Sequence, residues 1–280
     1  MSDFILAHEP TVRLSAFLGV LIVMAVWEVA APRRVRVSSR WVRWPSNLGL
    51  VALNAMVLRL TIPVAGGGIA VVDQQRGSGL LNNVVLPGWG RIAIAILVLD
   101  LAIYLQHVMF HAVPALWRLH RMHHADLDFD VTTGARFHPI EILISTGFKL
   151  TVVAALGAPP IAVLVFEVVL NATAMFNHGN VRLPERLDRI LRWAVVTPDM
   201  HRVHHSVIPN EANSDFGFNL PWWDWLFGTY RAQPASGHEG MTIGLDVFRD
   251  SKELRLDRIL LQPFVHPVSP YPINQRSVAR

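Results

Sequence analysis

Long apolar runs separated by polar, arginine-bearing segments set the pattern of this chain. From Leu14 to Ala31 almost every position is apolar, and Pro32 with Arg33, Arg34, Arg36, Arg40 and Arg43 ends the run. That pattern predicts a first membrane-spanning helix with a cytoplasmic exit. A cleaved signal peptide would carry its positive charges ahead of the apolar run, where only Arg13 stands. A second stretch, Leu48 to Val72, is broken by Arg59, Pro63 and Gly66-Gly67-Gly68, so its helix should kink or stop early. The polar segment from Asp73 and the Pro87-Gly88 turn lead to a third helix from about Ile92 to Phe110. Ile140 to Phe176 is too long for one span, and Gly157-Ala158-Pro159-Pro160 divides it into a tight helical hairpin.

Arginine and lysine concentrate after the first helix, after the third and after the hairpin, which by the positive-inside rule puts those segments in the cytoplasm. The expectation is an all-α integral membrane bundle of about four to five transmembrane helices, multi-pass, under a cytosolic histidine-rich helical cap. Residues 1–90 form a transmembrane region of two spans, 91–235 the histidine-bearing domain with its hairpin, and 236–280 a cytosolic tail. Charges inside spans need partners. Lys149 and Glu167 stand equally far from Ala158 and should pair across the hairpin, and Arg59 and Asp100 lie at matching depths on neighbouring helices.

Composition supports the membrane reading, with a mean hydropathy of +0.35 and only 16% charged residues. The net charge of +4 comes almost wholly from arginine. Without a basic stretch interleaved with aromatics, it does not indicate a nucleic-acid partner. The absence of cysteine rules out disulfides, iron–sulfur clusters, thiolate zinc sites and cysteine nucleophiles. Any metal must be held by histidine, carboxylate or backbone.

The chain has 13 histidines, and their placement suits that task. His107 and His111 stand at i, i+4 where the third helix leaves the membrane. His120, His123 and His124 follow a proline at helix-starting spacing, with three imidazoles expected to point together. The same spacing returns as His201, His204 and His205, behind a Thr197-Pro198-Asp199 helix start. His138 and His178 stand singly between the two copies, while His8, His238 and His266 read as ordinary packing residues. Imidazole suits iron, zinc, copper and nickel alike. Ten histidines exceed one tetrahedral zinc but would supply two metals at four or five nitrogens each, leaving positions for oxygen or water. Asp199, Asp215 and Asp224 are candidates to accept hydrogen bonds from the imidazoles. The aromatic run Trp222-Trp223-Asp224-Trp225-Leu226-Phe227 suits a headgroup belt, a substrate entrance or packing beneath the cap.

The series HxxxH, HxxHH, a histidine before proline, Asn177-His178-Gly179-Asn180 and a final HxxHH resembles the fatty acid hydroxylase and sterol desaturase superfamily of integral membrane proteins. So do the stretches Asn213-Ser214-Asp215-Phe216-Gly217-Phe218-Asn219 and Trp223-Asp224-Trp225-Leu226-Phe227-Gly228-Thr229-Tyr230, and the resemblance covers about residues 92–230. It implies a nonheme dimetal oxidoreductase, with iron as the metal and zinc as an alternative occupant, that uses O2 to hydroxylate or desaturate a sterol, fatty acyl or isoprenoid lipid. The implied ligands are His107, His111, His120, His123, His124, His138, His178, His201, His204 and His205. No HPGG-type haem segment is present, so electrons should come from a separate reductase, ferredoxin or cytochrome. A metal-transporting or metal-storing membrane protein is a competing class, but it would need ligands crossing the bilayer. A catalytically silent lipid-binding or signalling protein is a third.

Overall fold

The first long helix leaves most of its surface apolar and uncovered, and that sets the architecture. In the computed structural model, which describes residues 2–62, 66–265 and 273, helix α1 (Glu9–Ala30) exposes Leu18, Ile22, Val23, Val26 and Val29. A soluble protein would hide such a face, whereas a bilayer solvates it. Four of the described helices are long and apolar enough to cross a membrane: α1, α4 (Gly88–Ala112), α6 (Pro139–Leu156) and α7 (Pro160–Asn177). Between α1 and α4 lie α2 (Arg40–Thr61) and α3 (Gly66–Arg76), and α5 (Pro114–His124) follows α4. The cap continues with α8 (Glu185–Leu191), α9 (Pro198–His204), α10 (Trp222–Leu226) and α11 (Leu256–Leu261). The fold is all-α: among the described residues the only β-pairing is two isolated bridges, Pro32 with Val181 and Ser206 with Ile243.

The hairpin forms where its turn chemistry demands. Gly157 closes α6 with φ of 63°, a left-handed cap in which its N–H and that of Ala158 return to the carbonyls of Ala154 and Val153. Pro160 then starts α7 at a position where no amide hydrogen is needed. Gly79 backs onto this turn so closely that a Cβ on it would sit 2.3 Å from the Gly157 nitrogen.

The second stretch differs from its sequence expectation. The helix starts eight residues before Leu48, at Arg40, where Ser39 accepts from the Trp41 N–H at 3.2 Å, and it runs through Pro45 to Thr61. The reason is that its first turns belong to the cap rather than to lipid. Arg43 is wholly buried and meets both carboxylate oxygens of Asp126 at 2.7 and 2.8 Å and Asp130 at 2.5 Å. Asn47 donates to Thr132, and Arg136 donates to Asn47. The expected breaker Pro63 lies outside the described residues, as does His266.

Much of the arginine run after α1 works in the same way. Arg33 pairs with Asp199 and Glu239, Arg34 donates to the carbonyls of His238 and Met241, and Arg40 pairs with Glu28. Glu28 in turn accepts from the backbone of Val131 and Asn180. The end of α1 is therefore stitched to three separate parts of the cap. Of the two expected intramembrane pairs, Lys149 and Glu167 do meet, with Arg13 joining them. Arg59 and Asp100 do not. Asp100 instead accepts from the Trp223 indole at 2.7 Å, which ties α10 to α4, while Trp222, Leu226 and Phe227 remain exposed.

Arg43→Met should leave two buried carboxylates without their cation and lower stability by about 3–5 kcal/mol. Thermal denaturation in detergent checks this, and an unchanged melting temperature would remove the network from the list of things that hold the cap.

Candidate metal centre

Nine of the ten histidines singled out in the sequence come together in the structure as two adjoining groups, all buried. The first holds His107, His111, His120, His124 and His204, and the second His123, His178, His201 and His205. Within each group the nearest nitrogens all lie within 4.8 Å of one another. The groups share a wall, where the rings of His124 and His205 stack at 4.5 Å.

Helical geometry explains the sorting. Residues four apart differ by about 40° around an α-helix and residues three apart by about −60°, so the second and third histidines of an HxxHH box diverge by about 100°. On α5, His120 and His124 therefore face the first group and His123 the second. From α9 the exchange is reversed, with His201 and His205 in the second group and His204 in the first. The expectation that each trio points to one place is corrected accordingly: each box serves both groups.

Most rings are fixed through Nδ1. The Nδ1–H of His107 donates to the Phe216 carbonyl at 2.7 Å, that of His204 to Ser214 at 2.7 Å, that of His178 to Ala174 at 2.7 Å and that of His123 to Arg136 at 3.3 Å. His120 donates to Glu141 Oε1 at 2.6 Å and His111 to Asn213 Oδ1 at 3.2 Å. With the proton on Nδ1, each Nε2 is a bare lone pair facing inward. Three pairs of these nitrogens approach to 3.1 Å: His107 with His120, His107 with His204, and His123 with His178. Two lone pairs cannot bond each other. Their separation is that of neighbouring ligands on a cation with metal–nitrogen bonds of about 2.0–2.1 Å. His124, His201 and His205 have no hydrogen-bond partner on either buried nitrogen. Orphaned, convergent imidazole nitrogens of this kind fit a metal pair.

Burial holds the imidazoles neutral, the form that ligates. His120 and His178 are each pushed down to about 3, chiefly by loss of solvent. His123, His124, His201, His204 and His205 lie well below the ordinary imidazole range, through burial first and then the proximity of the other rings.

The loop after α9 presents two of the carbonyls. Ser214 and Phe216 flank Asp215, which takes a left-handed φ of 50° so that the carbonyls on either side can serve different rings. Asp224 accepts from the Phe216 and Gly217 amides at 2.8 and 2.9 Å, shaping that turn. None of Asp199, Asp215 or Asp224 has a hydrogen bond to a ring of either group among the described residues; Asp199 binds Arg33 and Arg202. The side chains that do orient rings are Glu141 and Asn213, which the sequence reading passed over. Gly134 leaves room for His178, since a Cβ there would sit 2.5 Å from the Ala174 carbonyl oxygen and 3.2 Å from the ring.

His138 lies outside both groups. Its Nδ1 accepts from the Ile140 N–H at 3.1 Å and caps α6, and its ring packs on Phe264. The proline at 139 makes the preceding residue the natural cap. His8 bonds its own helical turn at Phe4, and His238 sits 3.6 Å from Asp199.

A cavity of about 960 Å³ reaches the first group, with His107, His120, Phe137 and Phe218 in its wall.

A family model described as fatty acid hydroxylase matches residues 92–229, the stretch that carries all nine clustered histidines. Over this stretch the chain matches the fatty acid hydroxylase family. Among family relatives, it is 31% identical to ornithine lipid hydroxylase OlsE of Rhizobium tropici over 155 residues, 54% of this chain and 46% of that one. It is 28% identical to alkylglycerol monooxygenase of Xenopus tropicalis over 208 residues, 72% of this chain and 45% of that one. With cholesterol 25-hydroxylase of Rattus norvegicus it shares 29% over 148 residues, 52% of this chain and 48% of that one. The chain thus spans about half the length of these curated relatives. No solved structure matches. The matched hydroxylase region leaves out α1, α2 and residues 230–265, which supply much of the clamp on the cap.

A fixed sign of pH dependence follows for the metal-free protein. Histidines whose folded pKa is depressed bind protons in the unfolded chain first, so stability is full above the unfolded value near 6.5 and falls as pH drops through the window towards about 3. Melting of chelator-treated protein across this range should show that fall, and a flat profile would contradict the buried neutral imidazoles.

Proposed function

We propose that this chain is a membrane-bound nonheme dimetal oxidoreductase that uses O2 to hydroxylate or desaturate a C–H bond of a lipid. The observation that carries the proposal is the pair of adjoining histidine groups, the first of which stands at the inner end of a largely apolar cavity. The names of the relatives, all lipid hydroxylases or monooxygenases, support lipid oxidation.

His107, His111, His120, His124 and His204 would hold one ion and His123, His178, His201 and His205 the other. When bound, two redox-active metals supply oxygen activation, and iron fits that chemistry where redox-inert zinc would only fill the site. His138 is the member of the sequence set whose ligand role has no support in the geometry. The chain's own residues do the rest. Glu141, Asn213 and the carbonyls of Ser214 and Phe216 fix the imidazole tautomers and ring directions. Phe137 and Phe218, with Ile103 and Phe110, give an apolar wall that aligns an alkyl segment beside His107 and His120 and keeps water away. Electrons would come from a separate protein, and the arginine distribution favours a cytoplasmic cap where such a donor can dock.

Purified protein should contain two metal ions per chain. Because each box serves both groups, His123→Ala and His204→Ala should each lower metal content and abolish turnover. Mass spectrometry of lipids from cells with and without the protein reads the reaction directly, as a gain of one oxygen or a loss of two hydrogens. Full turnover in either alanine variant would sink the assignment.

A further inference from the structure

The cavity at the first histidine group is not uniform along its length. At its inner end His107, His120 and Phe218 are buried; in the middle Ile103, Leu150, Leu170 and Phe17 line it. Its other end is charged, with Arg13, Arg59, Lys149 and Glu167 in the wall. There Pro10, Ala55 and Arg59 are exposed, so the charged end is the mouth. Arg13 stands in the second turn of α1 and Arg59 in the last turn of α2, helix ends on the face away from the cap. Along α6, Lys149 is eight residues beyond Glu141, the partner of His120, which places the charged ring about 12 Å from the histidines.

The charges at the mouth do not balance. Three cations, Arg13, Arg59 and Lys149, face one wall carboxylate at this end, Glu167, which Arg13 and Lys149 already share; the other, Glu141, lies at the inner end with His120. Glu9 takes a further contact from Arg13. Arg59 has no ion pair or hydrogen bond among the described residues. An unpaired guanidinium at the rim of an apolar tunnel calls for an anion, and its planar fork suits carboxylate or phosphate.

We propose that this mouth is a headgroup site for an anionic single-chain lipid, held by Arg59 and Lys149 while the alkyl tail runs inward to the histidines. This rests on the lipid-oxidising reading of the same site and narrows its substrate class: the carbon presented to the metal centre lies down the chain, about 12 Å from the charged group, rather than next to it.

Equilibrium binding to the purified full chain in neutral detergent tests this with matched probes. Palmitate is compared with hexadecanol, and lysophosphatidate with monoacylglycerol; the pair showing the larger preference tells carboxylate from phosphate. The anionic member should bind about tenfold tighter, the scale of one charge-assisted contact. In Arg59→Gln the ratio should fall to near one, and Arg59→Lys should keep most of it; since Arg59 bonds nothing else described, both variants should melt like the parent. Equal binding of charged and neutral probes to the parent overturns the proposal, and so does a preference that survives Arg59→Gln. The readout is binding, so it fails separately from the enzymatic reading: a protein that prefers anions but oxidises no lipid refutes only the latter.

Discussion

The structure turns on nine imidazoles withdrawn from water with their lone pairs aimed at one another. A buried polar nitrogen without a partner costs free energy, and several together multiply that cost. Burial settles the protonation state by driving the rings neutral, and for six of them an Nδ1 acceptor settles the tautomer. What remains are inward Nε2 atoms that a cation between them would relieve, so a metal bound there would add to the stability of the folded cap.

The surrounding polar network follows from that constraint. Carbonyls of Ser214, Phe216, Ala174 and Arg136 must stay within hydrogen-bond reach of particular rings, so the loops carrying them cannot drift. Arg43 holds Asp126 and Asp130 on the segment leading to Arg136, and Arg33, Arg34 and Arg40 pin the end of α1 to the other side of the cap. Burial alone would raise the Asp126 carboxyl, but Arg43 and Arg136 outweigh it and keep it ionised. The arginines that mark membrane orientation in the sequence are, in the fold, fasteners.

The first and third spans and the hairpin were legible because lipid imposes a local rule, long apolar runs ended by Gly and Pro, that each of these segments obeys by itself. The clustering of nine histidines was legible for a similar reason, helical spacing. Their division between two groups was present in the same spacing but hidden by reading three-residue and four-residue separations as one face. The start of α2 was not legible, since Arg40 to Asn47 is polar only because the cap, distant in sequence, receives it. Glu141 and Asn213 were missed because orienting a ring requires only one acceptor at the right place, and the chain contains many. His138 misled because a histidine before proline satisfies a cap as well as a metal.

The exchange between boxes makes the centre a single unit. Had α5 furnished one group and α9 the other, each group could form and fail independently, and the two helices could shift relative to each other without disturbing either. Instead each helix gives two histidines to one group and one to the other. A displacement of α9 that opened the second group through His201 and His205 would also withdraw His204 from the first. The spacing between the groups is thereby fixed by the 100° between adjacent residues on each helix, a quantity no loop movement can change. A centre built this way trades independent adjustment of its halves for constancy of the distance between them. That constancy is what keeps the His124 and His205 rings stacked in the wall the two groups share.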